Sequence, residues 1–242
     1  MTPRDTIAAT EGSIEETSIA SSTRVFIFGI TGRVGRLLAA RLRAGGVIVS
    51  GLTRSSLPDP TLGPDGVTTV TGELGFATTR EITAMISDWD VIVFAAGSNA
   101  GAQSVTNDID DAALQRVSDA VMASPGKRLI LLSVLPEAWR ERQLSDDEEH
   151  YFAVKKRAEV ALTRQPIDWV ILRPSLLTDE PGQGTVALGP AELHDEINRE
   201  DVAAVLEALV LEPTINRRIL EVNTGPTAIS EAVGRVARSY QA

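Results

Sequence analysis

The stretch Gly29-Ile30-Thr31-Gly32-Arg33-Val34-Gly35 follows the apolar run Val25-Phe26-Ile27-Phe28 and opens a stripe of Val34, Leu37, Leu38 and Leu42. An apolar run, a glycine turn and a helical period predict a strand, a turn and a helix. The three glycines have separate tasks. Gly29 permits the tight turn, Gly32 lets backbone approach a phosphate, and Gly35 lets the helix pack close to the strand. The helix N-terminus then presents unpaired N–H groups and a partial positive charge to an anion. A strand before and a helix after the glycines point to a nucleotide cofactor with its pyrophosphate over the turn.

Strand and helix signals alternate from there on. Gly45-Gly46 ends the first helix, and Val47 to Leu52 reads as a second strand. Residues 54–66 carry three prolines and two glycines and read as a loop, before a short third strand from Val67 to Thr71. Thr78 and Glu81 have capping-box spacing ahead of Ile82, Met85 and Ile86. Val91 to Ala95 reads as a buried strand, and Leu114, Val117 and Val121 mark a helix that Gly126 stops. Leu129 to Leu132 is a fifth strand ending at Ser133, and Ser145 with Glu148 opens a helix to about Arg164. Trp169 to Leu172 is a sixth strand closed by Arg173-Pro174. Asn198 caps a helix, Ile219 to Val222 is a last strand, and a final helix runs from Ile229 to Tyr240. Continuous apolar strands separated by helices predict an α/β, Rossmann-like, doubly wound parallel sheet with helices on both faces. A small C-terminal segment would lie on the substrate side. In such sheets ligands bind beyond the carboxyl ends of the strands, so the informative residues should follow each strand.

The chain has 242 residues and a formal net charge of −10, which argues against a nucleic-acid partner. No apolar run is long enough to span a membrane. There is no cysteine, which excludes disulfides, thiolate metal sites and a cysteine nucleophile, and fits a reducing, cytoplasmic setting. Residues 1–23 are rich in Thr, Ser, Ala and Glu, have neither a basic start nor an apolar core, and read as a flexible tail or a short ordered arm. Residues 24–242 then form a single NAD(P)-binding domain.

The end of the second strand sorts the cofactor. An acid there would bond the ribose hydroxyls of NAD, but the sequence is Gly51-Leu52-Thr53-Arg54-Ser55. Arg54 suits a 2′-phosphate, Ser55 could add a hydroxyl, and Arg33 lies close in the first turn. NADP(H) is therefore favoured over NAD(H).

Tyr151 and Lys155 are four apart in a helix and share a face. A nearby ammonium lowers a phenol's pKa, which suits proton exchange with a carbonyl or an alcohol. Ser133, at the mouth of the fifth strand, could polarise the same oxygen. Lysine is scarce here, at Lys127, Lys155 and Lys156 only, so a chance pairing at this spacing is uncommon. The plain alternative is a tyrosine packed on the core beside a surface lysine. Asp146-Asp147-Glu148-Glu149-His150 is better explained by the helix dipole than by a metal, and no metal site is assigned. Asp108, Asp110 and Asp111 open a helix and need no chemistry. His150 reads as a surface residue, and Trp139 has some chance of lining a substrate pocket.

Gly29-x-x-Gly32-x-x-Gly35, Ser133, Tyr151-x-x-x-Lys155 and Arg173-Pro174 resemble the short-chain dehydrogenase/reductase superfamily. More narrowly, the chain is similar to the atypical branch that includes NmrA-like regulators and biliverdin reductase B-like flavin reductases. The run from His150 to Lys155, Ala158-Glu159, Arg173-Pro174 and Leu177-Thr178-Asp179-Glu180-Pro181-Gly182 carries the most specific part. The resemblance covers about residues 24–240. It implies that Gly29, Thr31, Gly32, Arg33 and Val34 hold the pyrophosphate and that Arg54 takes the 2′-phosphate. Glu73 and Leu74 would flank the adenine, and Ala95, Ala96 and Gly97 would line the adenosine ribose. Lys155 would bond the nicotinamide ribose, and Pro174 to Leu176 would contact the nicotinamide. Ser133 and Tyr151 would face the substrate. Glu73 stands where the family commonly has Asp, and Val134-Leu135-Pro136 where many relatives have a second serine.

The expected function is an NAD(P)H-dependent oxidoreductase reducing a small carbonyl, quinone or flavin-like acceptor. A non-catalytic NADP(H)-binding redox sensor with a protein partner is the alternative. An epimerase or dehydratase is a weaker third reading, because the segment after Pro181 is short.

Overall fold

Four apolar residues in succession cannot all face one way along a strand. In the computed structural model, which describes residues 23–57, 59–62, 67–135 and 143–239, strand β1 (Arg24–Phe28) turns Val25 and Ile27 to one face and Phe26 and Phe28 to the other. All four are fully buried, so the sheet is covered on both sides. Val25 and Ile27 join the core under helices α1 (Arg33–Ala44), α6 (Arg199–Leu211) and α7 (Ile229–Ser239). Phe26 and Phe28 join the core under α2 (Thr79–Ile86), α4 (Leu114–Met122) and α5 (Asp146–Thr163). The capping boxes expected at Thr78 with Glu81 and at Ser145 with Glu148 are both formed, and Asn198 caps α6 by accepting from the Asp201 N–H.

The parallel strands are β1, β2 (Ile48–Thr53), β3 (Thr69–Thr71), β4 (Val91–Phe94), β5 (Arg128–Leu132), β6 (Asp168–Pro174) and β10 (Arg218–Thr224). Two further strands, β8 (Thr185–Gly189) and β11 (Thr227–Ala228), complete a nine-stranded sheet in the order β11-β8-β10-β6-β5-β4-β1-β2-β3. The chain direction of the winding reverses between β1 and β4, and that switch point is where a Rossmann-like sheet opens a crevice.

The sheet departs from the sequence reading in three places. It is not wholly parallel, because β8 runs antiparallel to both β10 and β11. Arg173 and Pro174 do not close β6 but belong to it, paired with Glu221 and Val222. The C-terminal segment carries two three-residue strands that no sequence period marks, β7 (Leu176–Thr178) and β9 (Glu196–Asn198), paired in parallel with each other. The expected helix around Leu114 also begins earlier: α3 (Gln103–Thr106) passes into a π-helical turn, Asn107–Ala113, before α4. The tail reading of residues 1–22, part of the 54–66 loop, Trp139 and the last residue of the final helix lie outside the described residues. Among the described residues no helix is long and apolar enough to cross a membrane.

Arg128 ties the sheet to its helical cover. It is buried, and its guanidinium donates to the carbonyl of Leu209 at 2.6 Å and to that of Ile215. Burial pulls its pKa down to about 10, with Asp168 and Glu212 pulling it back up. The carbonyls at the end of α6 have no intrahelical partner, and this side chain supplies one. Replacing Arg128 by Met, which keeps length but loses the donors, should cost about 2–3 kcal/mol of stability. Urea unfolding should show a lower midpoint with an unchanged slope.

Candidate cofactor and substrate site

Gly29 leaves β1 at φ +90°, a backbone conformation that only glycine adopts cheaply. Space is as restrictive as angle. A Cβ there would lie 2.6 Å from the backbone of Ala95 and Ala96, and one on Gly35 would overlap the Gly29 carbonyl. The turn is closed by the Gly32 N–H donating to that carbonyl at 2.9 Å. Gly32 also N-caps α1 without a side-chain cap, and no acid stands in the first turn, so the first N–H groups of α1 are left for a ligand.

A cleft of about 470 Å3 opens over this turn. Gly29, Thr31, Gly32, Arg33 and Val34 form one wall, and Arg54 stands at the end of β2. Glu73 and Leu74 follow β3, and Ala95, Ala96 and Gly97 follow β4. Those predicted cofactor residues are brought together. Gly35 and Ser55 are not on the wall. Gly35 packs behind the turn, and the Ser55 hydroxyl accepts from the Leu57 N–H at 3.1 Å within its own loop.

A second cavity of about 280 Å3 adjoins the first, and Asn99, Leu177 and Arg199 line both. Its wall holds Ser133, Tyr151, Pro174, Ser175 and Leu176. The hydroxyls of Ser133 and Ser175 are buried and have no hydrogen-bond partner among the described residues. Buried orphan hydroxyls are costly, and two on residues that line one cavity suit an oxygen-bearing ligand. At the junction Asn99 and Ala100 both have φ of 53°, rare for residues with a side chain and a mark of strain held for a purpose.

Lys155 lines neither cavity. It is 3% exposed, and its Nζ donates to Asp110 Oδ1 at 3.3 Å. Asp110 Oδ2 accepts from the Ser98 N–H at 3.0 Å, so one carboxylate joins the lysine to the loop that lines the cofactor cleft. Asp110 is therefore not a bystander at a helix start, as the sequence suggested. The π-helical turn rotates it inward, where it is 1% exposed. No local signal could have found it, since its partner lies 45 residues away. The same turn is held to α5 by His150, whose Nε2 lies 2.9 Å from Asn107 Oδ1, and by Arg157 on Asp111 at 2.7 Å.

Burial and the charges around Tyr151 together set its protonation. Burial pushes its phenol pKa up, Lys155 pulls it down and Asp110 pushes it up again, leaving it raised. The sequence reading expected Lys155 to prevail; desolvation outweighs it. Burial also works against the Lys155 charge, but Tyr151 when ionised, and Asp110 and Glu159, more than restore it, so its pKa is raised. Glu159 is itself held by Arg173, which donates through Nε at 3.1 Å and Nη2 at 2.5 Å. The site thus contains a neutral phenol beside a firmly charged ammonium.

One further contact spans the mouth. Asp179, from the segment after β7, accepts from Arg33 at 3.0 Å and from Arg199 at 2.7 Å. Arg199, the first residue of α6, was missed from sequence. Nothing at the position of a helix's first residue marks a side chain that the fold turns into a cavity.

A family model described as NAD(P)H-binding matches residues 29–213. The protein called uncharacterized sugar epimerase YhfK, from Bacillus subtilis, is 27% identical over 217 residues, covering 88% of this chain and all of YhfK. The crystal structure of the oxidoreductase ylbE from Lactococcus lactis superposes with a TM-score of 0.78 at 24% identity, over 89% of this chain and 97% of that one. A wide-type short-chain dehydrogenase/reductase from Veillonella parvula in complex with NADP superposes with a TM-score of 0.66 at 17% identity, over 85% and 96%. At these identities the two structures show the fold alone.

Subtracting the ultraviolet pH titration of Tyr151→Phe from that of the wild type isolates this one phenol. Its midpoint should lie above the ordinary 10.0, and higher again in Lys155→Met, which loses the downward pull. A midpoint below 10.0 would mean that Lys155 outweighs burial.

Proposed function

The chain belongs to the NAD(P)H-binding family, and we propose that it is an NADPH-dependent reductase of a small carbonyl, quinone or flavin-like acceptor. The observation that carries this reading is a phenol and an unpartnered hydroxyl, Tyr151 and Ser133, in a small cavity that opens directly off the cofactor cleft.

The residues present fit a dinucleotide. The glycine cradle has no room for a Cβ, the first N–H groups of α1 are uncapped, and Arg33 and Arg54 flank the same cleft. Arg54 would pair with a 2′-phosphate, which supports NADP(H) over NAD(H) because no acid stands at the end of β2 to take ribose hydroxyls. Thr31, Gly32 and Val34 would take the pyrophosphate through the turn. Glu73 and Leu74 would flank the adenine, and Pro174 and Leu176 would face the nicotinamide.

The nicotinamide supplies hydride to the acceptor carbon when bound. Tyr151 gives its proton to the acceptor oxygen, and Ser133 donates a hydrogen bond that orients that oxygen. A phenol with a raised pKa starts protonated, which suits a donor in the reducing direction. The phenolate left behind is stabilised by the Lys155 ammonium, which Asp110 and Glu159 keep charged. A proton from solvent then restores the phenol, so a carbonyl, NADPH and a proton become an alcohol and NADP+.

The name of the B. subtilis relative suggests sugar epimerisation instead. Two observations weigh against it: a base there would have to be a phenolate, and a cavity of about 280 Å3 suits a small carbonyl better than a nucleotide sugar.

Calorimetric titration should give micromolar NADPH binding and weaker NADH binding, with the difference lost in Arg54→Ala, an effect of about 1.5–3 kcal/mol. Tyr151→Phe should bind NADPH as the wild type does but lower turnover by about 100-fold or more. Turnover unchanged in Tyr151→Phe would end the proton-donor role.

A further inference from the structure

The smaller cavity has an unequal distribution of charge. Arg199 lines it with a side chain only 10% exposed, and among the described residues its one hydrogen-bond partner is Asp179. That carboxylate lies outside both cavities, is 68% exposed, and is shared with Arg33. Two guanidinium groups thus divide one solvated carboxylate, and an exposed partner of this kind neutralises little. Glu148, on the same cavity wall, has its carboxylate engaged by the Ser145 N–H and hydroxyl of its own capping box. Ser133 and Ser175 also line the cavity, with buried hydroxyls that have no hydrogen-bond partner among the described residues. The remaining wall carries Asn99, Tyr151 and His194 and is otherwise apolar, with Val134, Phe152 and Leu176 on it. The cavity therefore offers hydroxyl groups and a half-compensated cation set in a largely apolar lining.

We propose that the substrate is a carbonyl compound bearing a carboxylate, an oxo acid, whose carboxylate pairs with Arg199 while Ser175 donates a hydrogen bond to the same group. This rests on the reductase reading and adds the substrate class to it. The guanidinium fork matches a carboxylate in two parallel hydrogen bonds, and only one of its nitrogens is used by Asp179. With the carboxylate held by Arg199, which lines both cavities, the rest of the substrate lies in the cavity that also holds Ser133 and Tyr151. Burial lowers the Arg199 pKa and Arg33 lowers it further, against the upward pull of Asp179.

The test uses the full chain, free and loaded with NADP+, so that no turnover occurs. Pyruvate, 2-oxobutyrate and benzoylformate are each titrated against their methyl esters by calorimetry. At least one acid should bind the wild type about tenfold more tightly than its ester. Arg199→Met should bring that acid down to its ester, leave the ester alone, and leave NADPH affinity within about twofold. Arg199→Lys, which keeps the charge, should retain part of the preference and guards against a folding defect in the Met variant. The proposal falls if no acid outbinds its ester in the wild type, or if the preference survives Arg199→Met. It falls equally if Arg199→Met weakens NADPH by the same factor, since the cation would then serve a cofactor phosphate. Acids that bind with the preference but oxidise no NADPH would retain the anion site and discard the reductase reading.

Discussion

Gly29 fits against the backbone of Ala95 and Ala96 with no space for a side-chain carbon, and the site is arranged around that contact. It joins the ends of β1 and β4, the two neighbouring strands from which the chain winds in opposite directions. Because the two ends are pressed together, the turn that follows β1 and the loop that follows β4 form opposite walls of one cleft. Gly35 repeats the constraint from below, since α1 can lie this close to the turn only where no Cβ intervenes. A sheet covered on both faces fixes these positions further. Val25 and Ile27 are buried under one set of helices and Phe26 and Phe28 under the other, so β1 cannot slip by a residue without exchanging the two cores.

The buried Lys155–Asp110 pair is the second organising feature, and stability alone is a weak reason for it. Taking two charges out of water costs about as much as their attraction returns. What the pair provides is position. Asp110 holds the lysine through one oxygen and the Ser98 N–H through the other, linking α5 to the loop that borders the cofactor cleft. The π-helical turn that brings Asp110 inward is itself fastened to α5 at Asn107 and Asp111. Tyr151 rides on the same helix one turn away, so its distance from the cofactor cleft and the charge behind it are set together. Burial then keeps the phenol protonated despite the ammonium, which favours giving a proton over taking one.

The C-terminal segment completes the smaller cavity with little regular structure of its own. Its two short strands pair only with each other, and the following chain is held by side chains of α6. The Gly182 N–H donates to Glu200, and those of Gln183 and Gly184 donate to Asp201. Asp179 then reaches across to Arg33 in the glycine turn. The segment is thereby anchored to the glycine turn through Asp179 and to α6 through Gly182, Gln183 and Gly184, and Leu176, Leu177 and Arg199 line the smaller cavity.

The sequence by itself determined the alternation of strands and helices, the glycine turn and the two capping boxes. Each of these is a local matter: a period of two or 3.6, a φ open to glycine, or a side chain reaching three residues back. Tertiary structure alone decided the antiparallel edge at β8 and β11, the three-residue strands, the inward turn of Asp110 and the raised pKa of Tyr151. Short strands have too few residues to show a period, and their pairing depends on partners far along the chain. Burial is likewise a property of the packed whole. The four-residue spacing placed Lys155 beside Tyr151, but how much water surrounds the phenol, and so whether the ammonium or desolvation prevails, is set by elements that the spacing does not contain.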